Sequence, residues 1–156
     1  MSVYDLNQVA LDKAEECKIQ TTAYSIWLNK LRPANFTLVI GGAILSLIAG
    51  SSLLLDIDTD VLDPKIAGVL AIISAAFTII HTKLNCDEHQ AECRKLKGQY
   101  AALSQAYNDL TLIKNEAELK NSIEVLNAER LQIIKGTTSE PSPSAFEKAK
   151  KKVRGC

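Results

Sequence analysis

Hydrophobic positions in this chain form two unbroken blocks, with helical stripes on either side. Residues 36–55, FTLVIGGAILSLIAGSSLLL, are 20 residues without a charge. As a helix this block rises about 30 Å, the thickness of a bilayer's hydrocarbon core. Residues 66–82, IAGVLAIISAAFTIIHT, add 17 uncharged residues, a rise of about 26 Å, at the short end of the spanning range. The ten residues between them, DIDTDVLDPK (56–65), carry four Asp and one Lys and read as a polar turn. Both blocks are apolar on every face. The rest of the chain offers too little apolar surface to wrap them, so a membrane hairpin is expected rather than two core helices. The first block starts at residue 36, behind a charged amphipathic stretch, which argues against a signal peptide.

The flanking stripes are helical. Ala10, Ala14, Cys17, Thr21, Tyr24, Leu28 and Leu31 recur at spacings of three and four, predicting a helix over 4–31. Pro33 is expected to interrupt or kink it before the first span. Tyr24 and Trp27 lie near that boundary, where amphipathic rings are favoured, and Trp27 is off the stripe, toward lipid headgroups. After the second span, Cys86, His89, Cys93, Leu96, Tyr100, Leu103, Tyr107 and Leu110 keep a 3-4 alternation, a heptad seam. Traced backwards it passes through Thr82, Ile79, Ala75, Ile72 and Gly68, as if one helix left the membrane and ran on. Leu96, Tyr100, Leu103, Tyr107 and Leu110 are the expected oligomer seam. Asn115 and Glu118 form a capping box for a further helix, with Leu119, Ile123, Leu126 and Ile133 on one side and a stop at Gly136. TTSEPSPS (137–144) reads as a linker. Ser144 and Glu147 suggest a cap for a last helix ending at Gly155. The fold expected is therefore all-α: a cytosolic helix over 1–35, a two-span hairpin over 36–82, seam-bearing helices over 83–136, and a linker with a short basic helix over 137–156.

Charge sets the orientation. Lys and Arg total 18, as do Asp and Glu. That balance excludes a general nucleic-acid binder, so no nucleic acid is expected as a partner. Lys18, Lys30 and Arg32 precede the first span, and Lys83, Arg94, Lys95 and Lys97 follow the second. The turn holds only Lys65. The positive-inside rule then places both termini in the cytosol and the acidic turn outside. Cys17, Cys86, Cys93 and Cys156 all fall on the reducing side.

Few residues suggest chemistry. Cys86, His89 and Cys93 share one helical face and suit zinc. All three also fall in the seam register, where Cys packs as a small hydrophobe, and no fourth ligand is at hand; the packing reading is preferred and no metal or other cofactor is expected. Ser74, Thr78 and His81, with Thr82 beside them, are candidates for a pore-lining stripe; alternatively the hydroxyls bond their own helix. Gly42, Ser46 and Gly50, and Ala67, Ala71 and Ala75, repeat at every fourth residue. Such faces let helices approach closely, either within one chain or between chains. Lys148, Lys150, Lys151, Lys152 and Arg154 of the last helix either meet an anionic leaflet, stay in solvent, or leave Phe146, Ala149 and Val153 to dock on other helices. Asp87, Glu88 and Glu92 read as solvated charges. No Gly-rich phosphate loop, GxSxG, HExxH or CxxC occurs, and an enzyme is not expected.

The order of elements adds a resemblance. A cytosolic helix closing on AYSIWLNKLRP, two spans with a short outer turn, the outgoing helix HTKLNCDEHQAECRKLKGQYAALSQAYNDL and the ending PSPSAFEKAKKKV resemble the SLATT domain. These are two-span effector domains associated with bacterial nucleotide-signalling and SLOG sensor systems. The resemblance covers nearly the whole chain. It implies a bacterial inner-membrane effector that forms pores or disrupts the membrane under a separate cytosolic sensor, with no catalytic residues to carry over.

The expected function is thus a homo-oligomeric, pore-forming or membrane-disrupting effector in the lipid bilayer. The alternatives are a scaffolding anchor acting through its cytosolic helices, and a metal or redox sensor built on Cys86, His89 and Cys93.

Overall fold

A computed structural model describes residues 2–54, 64–83 and 86–155. In chain order the elements are α1 (Val3–Leu54), α2 (Pro64–Lys83), α3 (Cys86–Asp109), a 3-10 turn (Leu110–Leu112), α4 (Glu116–Lys135) and α5 (Pro143–Arg154). Among the described residues there is no strand, and the chain is all-α as expected.

Polar side chains set the helix ends. Ser2 and Asp5 start α1: the Ser2 N–H and hydroxyl both reach the Asp5 carboxylate at 2.9 Å, and the Asp5 N–H returns to the Ser2 hydroxyl at 3.3 Å. Asn115 caps α4 by accepting from the N–H groups of Ala117 and Glu118 at 3.0 and 3.2 Å, where the sequence placed it. The cap of α5 differs. Ser142, not Ser144, accepts from the Ala145 N–H, and Pro143 takes the first helical position. Pro is favoured there because its missing N–H would have had no partner anyway. Gly155 closes α5 at φ 70°, a left-handed conformation that costs glycine little. Pro33 lies inside α1, which continues through it. Pro33 removes the donor to the Asn29 carbonyl and its ring crowds that carbonyl, and the helix continues on both sides of it. Pro64 and Lys65, expected in the turn, open α2 instead; 56–63 lie outside the described residues. So do residues 84 and 85, between α2 and α3.

The chain divides into two units, a body of residues 1–29 and 91–156 and a hairpin unit of residues 30–90. The body's core joins one stripe from each of three helices: Leu6, Ala10, Ala14, Cys17 and Tyr24 of α1, Cys93 to Tyr107 of α3 running on to Leu110 of the turn, and Leu119 and Ile123 of α4. The α1 and α3 segments run antiparallel. The Ser104 hydroxyl donates to the Ala14 carbonyl at 2.9 Å, and the rings of Tyr24 and Tyr100 lie nearly parallel with centroids 6.0 Å apart. Ala10 and Ala14 face the bulky Leu103 and Tyr107 stripe; small residues opposite large ones permit this spacing.

This core corrects the oligomer seam. Leu96, Tyr100, Leu103, Tyr107 and Leu110 are buried within the single chain, with at most 8% exposure. Their heptad spacing is met by α1 and α4 of the same chain rather than by a second copy. The backward continuation of the seam is not part of this core, and Ile72 and Ile79 there are exposed. Trp27 is corrected too: it packs partly against the body's core.

Helix α5 takes the docked arrangement. Ala145 and Ala149 are fully buried, and Ala149, Phe146 and Val153 pack with Ile19, Ala23 and Ile26 of α1. Its lysines Lys148, Lys150, Lys151 and Lys152 remain exposed.

Candidate functional site

In the hairpin unit, α2 packs antiparallel on the second half of α1. Glycine makes the contact possible. A Cβ on Gly42 would sit 3.5 Å from that of Phe77, and one on Gly41 would meet the Phe77 ring at 3.6 Å. With no side chain in the way, the Ser74 hydroxyl reaches the Gly42 carbonyl at 2.7 Å and pairs with the Ser46 hydroxyl at 2.5 Å. The small-residue face of α1 therefore serves, at Gly42 and Ser46, the contact between two helices of one chain. Gly50 has open space around its Cα, and Ala49 is the buried residue at that level. On α2, Ala67 is buried, whereas Ala71 and Ala75 are exposed.

The expected pore stripe is divided by this geometry. Ser74 is buried in the hairpin contact and both its hydrogen bonds stay inside the chain, so it does not face an open lumen. Thr78 is exposed and donates to the Ser74 carbonyl one turn back at 3.2 Å, satisfying its hydroxyl on its own helix. The side chains of His81 and Thr82 lie outside those described.

The apolar surface of this unit is large. Phe36, Ile40, Ile44 and Leu47 on α1, and Ile66, Val69, Ile72 and Ile79 on α2, are all exposed. Only 12% of the most apolar stretch of α1 is buried, and its mean hydropathy is 1.7. Among the described residues α1 is the one helix long and apolar enough to cross a membrane. The apolar part of α2, Lys65–Ile80, is shorter.

The body has a polar strap over the 137–142 linker. Glu92, read from the sequence as a solvated charge, accepts from the N–H of Thr138 at 3.0 Å, from its hydroxyl, and from the hydroxyl of Ser139. The Ser139 hydroxyl and Thr138 N–H hold the Glu92 carboxyl below the usual range. Ser139 is buried, and its carbonyl accepts from the Tyr24 hydroxyl at 2.8 Å. Burial pushes the Tyr24 phenol well above its ordinary value, so it remains a donor. Arg154 of α5 reaches Glu15 of α1 at 2.7 Å, and Arg130 of α4 reaches Glu16 at 2.8 Å. The strap was not legible because Glu92 gains its role only when residues 46 positions later fold back on it. A hint existed in the run of hydroxyls from Thr137 to Ser139.

Of the metal candidates, Cys93 is fully buried in the body's core, where desolvation raises its thiol pKa, and His89 is half-buried. The Cys86 side chain lies outside those described. Among the described residues no three His, Cys, Asp or Glu side chains gather to hold a metal. The burial of Cys93 comes from packing, which the heptad register already implied.

No model of a known protein family matches this chain, and neither the curated proteins nor the solved structures compared with it give a match.

Proposed function

We propose that the chain is a two-span membrane effector. Residues 36–55 and 66–82 cross the bilayer as the α1–α2 hairpin, both termini lie on the cytosolic side, and assembly of several copies opens or disrupts the membrane. The observation that carries this reading is the apolar surface of the hairpin unit. Exposures of its large outward-facing apolar residues run from 38% at Ile73 to 73% at Leu47, on both helices and well beyond the Gly42–Ser74 contact. A continuous apolar surface of this kind is unfavourable in water and ordinary in lipid. The shorter apolar length of α2, bounded in sequence by Lys65 and Lys83, falls at the short end of the spanning range.

One hairpin cannot enclose a channel. On α2, Ala71, Ala75 and Thr78 share one face that α1 leaves exposed. Small residues and a hydroxyl suit close packing between copies, and we assign the contact between hairpins to this face. The likeness to SLATT domains supports the same class, with control by a separate cytosolic sensor and a place in the bacterial inner membrane. The scaffolding alternative is less favoured, because the seam it relied on is occupied inside the body.

Two measurements test the proposal. For topology, an impermeant maleimide should label an Asp58→Cys variant, with Cys17, Cys86, Cys93 and Cys156 replaced by Ser or Ala, on intact cells. Labelling only after lysis, or release of the chain by alkaline carbonate, would remove the two-span reading. For activity, the full chain in planar bilayers should give discrete conductance that Ala75→Leu and Thr78→Val reduce. A chemically cross-linked oligomer that carries no current would overturn the pore.

A further inference from the structure

We propose that the lumen formed by assembled hairpins passes cations in preference to anions, and that the Ser46 oxygen is the group that discriminates. The proposal rests on the pore reading above and adds the class of ion that the pore carries.

The hydroxyl of Ser46 is fixed in direction. Ser74 has one hydroxyl hydrogen, and it goes to the Gly42 carbonyl at 2.7 Å. The 2.5 Å contact between the Ser46 and Ser74 oxygens also needs a hydrogen, and only Ser46 can supply it. Ser46 is therefore the donor of that pair and Ser74 the acceptor. Ser74 is buried, whereas Ser46 stays exposed. Ser46 thus turns lone pairs outward and no hydrogen.

Among the described residues, no hydroxyl of a second hairpin can answer that acceptor. Ser46 lies near the middle of residues 36–55, and Ser74 in the middle of 66–82. The other hydroxyls described in these blocks give their hydrogens to carbonyls of their own helix: Thr37 to Pro33, Ser51 to Ile48 and Thr78 to Ser74. Hydrocarbon offers no donor either, whereas water does, so an aqueous lumen is the setting that completes Ser46. The side of the hairpin agrees. Phe77 packs over Gly41 and Gly42 on one side of the α1–α2 contact. By the helical repeat, Ser46 of α1 falls on the other side, together with Ala71, Ala75 and Thr78 of α2. That is the face given above to assembly, so assembly brings Ser46 toward the interior.

Lone pairs then select the ion. Residues 36–55 and 66–82 contain no Asp, Glu, Lys or Arg, so dipoles must discriminate there. An ion in mid-membrane sheds part of its water and needs a replacement. A cation takes oxygen lone pairs, and an anion takes hydrogen-bond donors. A ring of Ser46 oxygens, one from each copy, offers the first and withholds the second.

The test uses the full chain in planar bilayers under a KCl gradient. The reversal potential should show a several-fold preference for K+ over Cl−. Ser46→Ala should remove most of that preference, and Ser46→Thr, which keeps the hydroxyl, should retain it. Accessibility is read with Cys17, Cys86, Cys93 and Cys156 replaced. A cationic methanethiosulfonate should then block a Ser46→Cys variant, and an anionic one should act several-fold more slowly. Ile44→Cys, exposed on the side of α1 away from Gly42, should react with neither. A current that prefers Cl−, or neither ion, would overturn the inference and leave the pore standing. So would a K+ preference that Ser46→Ala leaves unchanged, which would assign it to Asp56, Asp58, Asp60 or Asp63. If Ser46→Ala fails to assemble, Ser46→Cys decides, and a current untouched by either reagent overturns the assignment. No current from any variant or from wild type would remove the pore itself, and this inference with it.

Discussion

The Ser74 hydroxyl and the Gly42 carbonyl stand 2.7 Å apart, a hydrogen bond from the side chain of one apolar helix to the backbone of the next. It exists because Gly42 has no side chain to hold α2 away. On the membrane reading proposed above, helices in lipid gain nothing from hiding apolar surface from one another, and close backbone approach and such bonds would supply the association. The bond therefore fixes which face of α2 turns toward α1.

A cysteine pair should report that geometry. With the four native cysteines replaced, Ser46→Cys with Ser74→Cys should form an intramolecular disulfide under mild oxidation, read as faster migration on a non-reducing gel. If the hairpin lies in lipid as proposed, Ser74→Ala alone should cost only about 0.6 kcal/mol of hairpin stability, the usual worth of such a bond between membrane helices. An exclusively intermolecular disulfide would mean that the serines meet between chains.

Leu103 lies in the body's core at 2% exposure. Leu103→Asp combines a lost apolar contact with a buried charge and should destabilise the body by about 3–5 kcal/mol. The expected outcome is unfolding, seen as a lower melting temperature by circular dichroism. A body that stays folded while the particle merely changes size in detergent would return the seam to an oligomeric role.

The Glu92 strap predicts a pH dependence of known sign. Its carboxyl is lowered from 4.5 by its bonds to Ser139 and Thr138, so the folded state favours the ionised form. The stabilisation is fully present above pH 4.5 and is lost as pH falls through the lower folded value. Once corrected for intrinsic exchange rates, amide protection over residues 137–142 should be flat from pH 8 to about 5 and fall below the ordinary carboxylate range. Glu92→Gln should weaken protection at neutral pH and flatten the acid limb. An unchanged acid limb in that variant would assign it to another carboxyl.

Ala149 is fully buried where α5 meets Ile19 and Ala23. Ala149→Leu should overfill that contact at a cost of about 1–3 kcal/mol and release α5. Trypsin should then cut at Lys148–Lys152 several-fold faster, while the melting of the α1–α3–α4 core moves little. Equal cleavage of wild type and variant would show that docking does not protect the helix.

Much of this architecture was legible along the chain because it depends on local periodicity. The apolar blocks, the stripe of Ala10, Ala14, Cys17 and Tyr24, and the seam from Cys93 to Leu110 each mark a helix face by spacing alone. Asn115 and Gly155 mark helix ends through their own backbone and side-chain chemistry. What the spacing left open was the partner. A heptad stripe requires an apolar surface opposite it, and a copy of the chain meets that requirement as well as α1 does. Only the tertiary fold, bringing α1 and α4 onto α3, decided for the chain itself. The same holds for Ser74, whose hydroxyl suits either a lumen or a neighbouring carbonyl until Gly42 is placed beside it. Glu92 and Ser139, 47 residues apart, and Tyr24 and Ser139, 115 apart, meet only after the linker folds back. Periodicity fixes a face of each helix because side chains of one helix share its axis. The pairing of faces is a competition among long-range contacts, and it is settled by the space and the hydrogen-bond partners that the assembled helices leave.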